Sequence, residues 1–456
     1  GKVDISKLNA NALGLNVNGN LVSNKQSMDG QLSIKGKQLK GLLAALDQAD
    51  LGEVLKSIDI DMVIKGNQDD MQLSPLNLNA TLSGKQIPNS PVSLVLTGDT
   101  RANLKQQTAS IKNLSVKGLG LDLKGNIDIS DMDKEVNFKG DMSVAPFDLR
   151  SFLKQLNQPV PNTADKKVLK KFSLASELSG SKNSLKLNKL NVLLDDSELR
   201  GDLSVNNFAK PVIAFGIGID KINVDRYLPP ATKTKATPET AAAGAAELPL
   251  DMLRGLNING DLLIGDFVYS NLKMKEVKLS LKAKDGKLQF DPAKAQLYEG
   301  RYSGNITLDA TGKTPKLNMK TQFEDILVEP LFNDLTGNAT LTGKGNIGLN
   351  LTSTGADVNT LRNSLGGQGE LSLVDGIFKG IDIPKMLRQV EIKIENKDIT
   401  GLKNIDKEGE TPFDSVTGTL QINSGVVMNE DLALLAPGFE VAGKGMVMNL
   451  SDETWK

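Results

Sequence analysis

The sequence contains no cysteine and no histidine. Disulfides, zinc fingers, thiol nucleophiles and imidazole bases are excluded at once, with most transition-metal sites. Absent cysteine does not fix the compartment; it suits a cytosolic protein and a periplasmic one alike. Aromatic residues make up only 4% of the chain, too few for base-stacking platforms. Charge of one sign is lacking too: the formal net charge is −1, so no basic excess points to a nucleic-acid partner. Long apolar runs are missing. Spanning a bilayer takes about 20 apolar residues, and the most apolar stretch, "PVIAFGIGI" at 211–219, is short and broken by glycine. The opening "GKVDISKLN" lacks the charged-then-apolar form of a signal peptide.

What is present is glycine, 43 of 456 residues, set within alternating stretches. "LYEGRYSGNITLDATG" at 297–312 is one case. The phrase returns as "GLNVNGNLV" (14–22), "GLDLKGNIDIS" (120–130), "SELRGDLSVN" (197–206), "LNINGDLLIG" (256–265), "GGQGELSLVDG" (366–376), "SVTGTLQINSG" (415–425) and "EVAGKGMVMNL" (440–450). A period of two puts Leu121, Leu123, Ile127 and Ile129 on one sheet face and Asp122, Lys124, Asn126 and Asp128 on the other. One-sided strands belong to antiparallel sheet. "KDGK" at 284–287 carries an Asp-Gly turn between two such runs, a hairpin signal. Glycine inside a strand marks a bulge or a bend, so the repeated glycines are expected to be where the sheet curls.

Helical pattern is sparse. The best candidate is "QLKGLLAALDQADLGEVLKSI" (38–58), and shorter helices are expected at 147–157, 328–335, 357–365 and 383–390. The Ala/Thr/Pro-rich stretch at 229–249 reads as a disordered linker. It divides an N-terminal part, 1–228, from a C-terminal part, 250–456.

The motifs that resemble chemistry fail on context. "GKGNIG" at 343–348 matches GxGxxG, but an alternating strand follows it where a dinucleotide site needs a helix. "TGKT" at 311–314 lacks the first glycine of a phosphate loop and reads as a turn. Counted from Asp131, the sixth and twelfth positions of a calcium loop are Val136 and Met142, so "DISDMDKE" is a solvated turn. Asp195 and Asp196 are adjacent, and on a strand they would point to opposite faces. No GxSxG elbow occurs, and no histidine could activate a serine. The apolar face is then the remaining signal. It is either an ordinary core, closed by a second layer, or the lining of an open groove. Few helices and few aromatics are available to close it.

From residue 250 to 390 the chain resembles the AsmA family of bacterial envelope proteins. The resemblance rests on "DMLRGLNINGDLLIGDFVYSNLKMKEVKLSLKAKDGKLQFDPAKAQLYEGRYSGNITLDA". It continues through "EPLFNDLTGNATLTGKGNIGLNLTSTGADVNTLRNSLGGQGELSLVDGIFKGIDI". The pairing of "LYEGRYSG" with "GQGELSLVDGIFKGIDI" is specific, and "LKKFSLASELSGSKNSLKLNKLNVLLDDSELRGDLSV" (169–205) extends it. The resemblance implies a long taco-like sheet with an apolar groove, related to bridge-like lipid-transfer proteins. It implies a periplasmic location and an inner-membrane anchor through one N-terminal helix that these residues lack, hence a piece of a longer protein. It implies phospholipid as partner, contact with outer-membrane components, and no catalytic motif, cofactor or metal.

The expectation is therefore an all-β protein, one or two curled antiparallel sheets with short capping helices and an apolar inner groove. Its function would be non-enzymatic phospholipid transfer between inner and outer membrane, supporting outer-membrane lipid homeostasis. The alternative is a structural or assembly factor for outer-membrane biogenesis with a closed core. The groove-lining candidates in the N-terminal part are Leu121, Leu123, Ile127 and Ile129. Those in the C-terminal part are Leu279, Leu281, Leu288 and Phe290, then Ile306 and Leu308, Leu371 and Leu373, and Leu420 and Ile422. An acyl chain of about 16 methylenes costs roughly 12 kcal/mol to leave in water, so a carrier must offer continuous apolar cover. About 25 strands at roughly 4.8 Å would extend on the order of 120 Å.

Overall fold

The computed structural model describes residues 2–24, 26–84, 87, 89–230, 248–395, 408–443, 446–449 and 454–455. Of the expected linker, 231–247 lies outside the described residues. The chain forms two compact units: Gly1–Ile217 with Arg226–Pro230, and Gly218–Asp225 with Ala231–Lys456.

The first unit runs β1 (Val3–Ala12), β2 (Leu15–Ser23), β3 (Met28–Lys37), α1 (Lys40–Ala45), α2 (Ala49–Val54), β4 (Leu55–Gly66), β5 (Asp70–Leu82), β6 (Val92–Asn103) and β7 (Thr108–Gly118). It continues with β8 (Leu121–Ser130), β9 (Asn137–Phe147), α3 (Leu149–Gln155), β10 (Phe172–Ser181), β11 (Ser184–Leu194) and β12 (Ser197–Asn206). From β1 to β12 each strand pairs antiparallel with the next, a meander. Among the described strands β1 pairs only with β2, so the sheet is open and does not close into a barrel. In sequence, β13 (Val212–Asn223) spans the boundary between the units.

The second unit contains α4 (Leu250–Gly255), β14 (Asn257–Tyr269), β15 (Leu272–Lys284), β16 (Lys287–Leu297), β17 (Gly300–Asp309), β18 (Lys316–Leu327), α5 (Val328–Thr336) and β19 (Lys344–Thr354). Then come α6 (Val358–Asn363), β20 (Gly366–Lys379), α7 (Ile383–Glu395), β21 (Glu410–Asn423), β22 (Val426–Asn429), β23 (Leu432–Ala436), β24 (Phe439–Gly443), β25 (Met446–Asn449) and β26 (Thr454–Trp455). β14 to β21 form a second antiparallel meander. At β21 the sheet forks: Gln421–Asn423 pair with β22, and Ser415–Thr417 with β23. The fold is all-β with a few short helices.

Local chemistry explains the elements. Asp285 and Gly286 take φ of 49° and 81°, the two left-handed positions of the expected hairpin turn. Asp148 accepts the Ser151 amide at the start of α3, and Asp357 and Thr360 form a capping box on α6. The expected helix at 38–58 divides. Asp47 turns left-handed (φ 58°) between α1 and α2, and the alternating Ile58, Ile60 and Met62 draw the rest into β4. "GKGNIG" lies in and before β19, a strand, as its context required.

The glycines do not themselves form the bulges, which corrects the sequence reading. The register shifts fall on the neighbouring strand. Beyond five of these shifts, the next paired residue faces a glycine: Leu76 opposite Gly98, Leu114 opposite Gly125, Leu190 opposite Gly201, Ala293 opposite Gly304, and Ile326 opposite Gly345. The bulged positions carry ordinary residues, several with positive φ: Asn113 (52°), Lys189 (49°) and Asp325 (56°). At two of the five positions, Gly125 and Gly201, the backbone of the next strand comes too close for a Cβ. A Cβ on Gly125 would overlap the Asp141 carbonyl oxygen.

Candidate functional site

Pairing register aligns the inner side chains across strands, and in the first unit it produces one unbroken row. Ala10 on β1 pairs with Val17, Val17 with Ile34, Ile34 with Ile60, Ile60 with Leu78, and Leu78 with Leu96. Leu96 pairs with Val116, Val116 with Leu123, Leu123 with Val144, Val144 with Leu174, Leu174 with Val192, and Val192 with Leu199 on β12. Every strand of the meander contributes one aliphatic side chain. At about 4.8 Å per strand the row is on the order of 50 Å long.

None of these side chains is buried. That is unusual, because aliphatic residues on the inner face of a sheet normally close against a second layer. Among the described residues, the first unit contributes only Leu39, Ile64, Val92, Val168 and Leu190 to the buried hydrophobic residues. Its helices α1, α2 and α3 have six, six and seven residues, too short to cover twelve strands.

The sequence-predicted residues fall as follows. Leu121, Leu123, Ile127 and Ile129 share one face of β8 and are half-buried. Leu281, Phe290 and Ile306 are consecutive members of a second row, in the second unit, that continues to Met319 and Leu351. Leu288 pairs with Leu308 in an adjacent row. These five are half-buried. Leu279 is half-buried and packs against a small core of Ile264, Val277 and Ala295. Leu373 and Ile422 are 7% and 3% exposed. Leu373 belongs to a closed cluster with Val328, Phe413, Val416, Leu434 and Ala436, against which Leu371 and Phe332 of α5 pack. Leu420 is half-buried opposite Gly369. The buried members of the predicted set thus lie near the fork of β21, and none of those on β8 is buried.

Sequence reasoning missed the device that holds the bends. At three of the five, the residue after the glycine caps the bulge: Asn113 N–H donates to Asn126 Oδ1 at 3.0 Å, Lys189 N–H to Asp202 Oδ1 at 3.1 Å, and Asp325 N–H to Asn346 Oδ1 at 2.9 Å. The signal was in the repeated phrases themselves, where "KGN", "RGD" and "KGN" place Asn or Asp directly after the glycine.

Electrostatically the inner face is quiet. Burial pushes the Tyr302 phenol up, where it packs 5.0 Å from the Phe323 ring. Charged groups gather elsewhere. Asp195 and Asp196 sit at the β11–β12 turn, not on a strand as expected. Asp195 accepts the amides of Leu169, Lys170 and Lys171 and the Tyr227 hydroxyl at 3.0 Å. Burial raises its pKa, but those bonds outweigh it and hold the carboxyl below its usual range. Asp196 pairs with Arg226 at 2.9 Å. Every partner here is structural. Among the described residues no group of three or more acidic side chains could hold a metal ion. No helix among them is long and apolar enough to cross a membrane.

The AsmA family model matches residues 64–432, most of the chain. The chain belongs to the AsmA family. It is also similar to Protein AsmA of Escherichia coli (strain K12), 21% identical over 442 residues, 93% of this chain and 71% of that protein. No solved structure matches it. The AsmA match covers most of the open row and the closed cluster alike, so both lie within family sequence.

Proposed function

We propose that this AsmA-family chain binds phospholipid by its acyl chains along the apolar face and passes it between inner and outer membrane without covalent chemistry. Family membership supports a role at the bacterial cell envelope. The observation that carries the finer reading is the twelve-strand aliphatic row of which no member is buried among the described residues. Leaving such a row wet is costly, at about 25 cal/mol per Å² of apolar surface. A hydrocarbon cargo removes that cost. Direction along the row needs no chemistry, because neighbouring positions are nearly equivalent. The polar outer face keeps the sheet in water, so the site of action would be the periplasm, with the chain tethered at the inner membrane.

Organic extracts of the purified protein test this. Phospholipid should co-purify in stoichiometric amount, and Leu123→Asp or Leu281→Asp should lower it at least tenfold with strand content unchanged. Extracts repeatedly free of lipid would reject the reading. They would favour a second one, an assembly factor for outer-membrane biogenesis, for which the closed cluster around Leu373 and Phe413 is the supporting observation.

A further inference from the structure

The loop between α3 and β10 carries the sequence "TADKKVLKKF" at 163–172. Lys166, Lys167, Lys170 and Lys171 fall within six positions, and all four are exposed. None lies within ion-pair distance of a carboxylate among the described residues, and Lys166 donates only to Asn162 Oδ1, at 2.7 Å. Some lysines of the same unit are ion-paired instead. Lys35 pairs with Asp59 at 3.2 Å, Lys112 with Asp128 at 2.7 Å, and Lys189 with Glu177 at 2.6 Å.

Acidic groups are close to the loop, yet they are committed elsewhere. Asp195 is filled by three successive backbone amides and Tyr227. Arg226 holds Asp165 at 3.0 Å and Asp196 at 2.9 Å. The Asp165 charge reaches Lys167 only at longer range.

The loop is also fixed in place. Val168 and Thr163 are fully buried, and Arg150 donates to the Val168 carbonyl at 2.7 Å and to the Pro161 carbonyl at 3.3 Å. Beside it, Leu228 is 40% exposed, and its carbonyl accepts the Ala164 amide. Three residues beyond Lys171 the chain reaches Leu174, a member of the aliphatic row.

We infer that this loop docks the first unit on the anionic headgroup surface of a phospholipid bilayer. A preformed cationic loop loses little entropy on binding. Four lysines exceed the single charge of one phosphodiester, which favours a surface of many headgroups over one cargo molecule. Exposed lysine is the charge that protein interfaces avoid and that anionic membranes attract. Exposed Leu228 supplies an apolar contact at the same edge. The assignment stands apart from the cargo reading, since it concerns adhesion and not the row.

Co-sedimentation of the full chain with vesicles tests it. Phosphatidylglycerol mixed into phosphatidylcholine should bind the chain, and phosphatidylcholine alone should not. Each of Lys166→Ala and Lys170→Ala should weaken binding about fivefold, and Lys166→Glu, Lys167→Glu, Lys170→Glu and Lys171→Glu together should abolish it. Lys112→Ala should leave it unchanged. An unchanged thermal melt would show that the loop variants are folded. Leu123→Asp should lose co-purified lipid and keep vesicle binding, which separates the two proposals. Equal binding to neutral vesicles, or full binding by the fourfold variant, would overturn the inference; the latter would point to a different surface.

Discussion

The backbone amide of Asn113 donates to the side-chain oxygen of Asn126 at 3.0 Å, across the β7–β8 pair. Asn113 is the bulged residue, with φ of 52°. Asn126 also reaches onward, donating to Asp141 Oδ1 at 3.0 Å on β9. One side chain thereby fixes a bend and ties three strands together. Asn126→Ala should destabilise the first unit by about 1 kcal/mol, the ordinary worth of such a bond. Urea denaturation would measure it, and no change in midpoint would show that the bulge holds itself.

The neighbouring Gly125 should be far less tolerant. Its inner side meets the Asp141 carbonyl, so Gly125→Val must straighten the bend or break the β8–β9 register. A loss of at least about 3 kcal/mol is expected, from strain and lost pairing together. A loss under about 1 kcal/mol would mean that the curvature does not depend on that close approach.

Inner-face substitutions should separate open row from closed core. Leu123 is only half-buried, so Leu123→Asp should change stability by no more than about 1 kcal/mol. Leu373 is 7% exposed within the cluster of Phe413 and Val416, so Leu373→Asp should cost at least about 3 kcal/mol or prevent folding. Similar losses at both positions, read from melting or urea curves, would mean that the row is covered.

Acid should loosen the Asp195 clasp. Its carboxyl is held below the usual range by the amides of Leu169, Lys170 and Lys171 after opposing burial, and Asp165 is lowered by the Lys167 amide and then by Arg226. A depressed folded pKa stabilises fully above the unfolded value, about 3.9, and that stability drains away as pH falls through the folded value. Stability should therefore decline below about pH 4 in wild type and much less steeply in Asp195→Asn. Parallel pH profiles for the two proteins, from thermal melts, would remove Asp195 from the account.

Strand identity was legible because period-two alternation survives any tertiary context that buries one face. Leu121, Leu123, Ile127 and Ile129 indeed share one side of β8. The AsmA resemblance was legible in the glycine-marked phrases for the same reason. The position of each bulge was not, since it depends on which residue of the next strand faces the glycine, a question of register. Gly125 could be seen, but its relation to Asn113 could not. The 38–58 helix was misjudged because Leu42, Leu43 and Leu46 have helical spacing, while the chain turns left-handed at Asp47 and the alternation from Ile58 joins a strand. Closure around Leu373 was hidden for a similar reason. Its cover comes from α5 and from β23 beyond the fork, both distant in sequence.

The central claim concerns what fills the apolar row, and crosslinking in living cells addresses it most directly. A photoreactive side chain would be placed at Leu123, on the row, and at Lys124, on the opposite face. Radiolabelled phospholipid should attach at position 123 and along the row at Leu96 and Leu174, with little at 124. Equal labelling at 123 and 124, or none at any row position while the protein remains folded, would contradict the account.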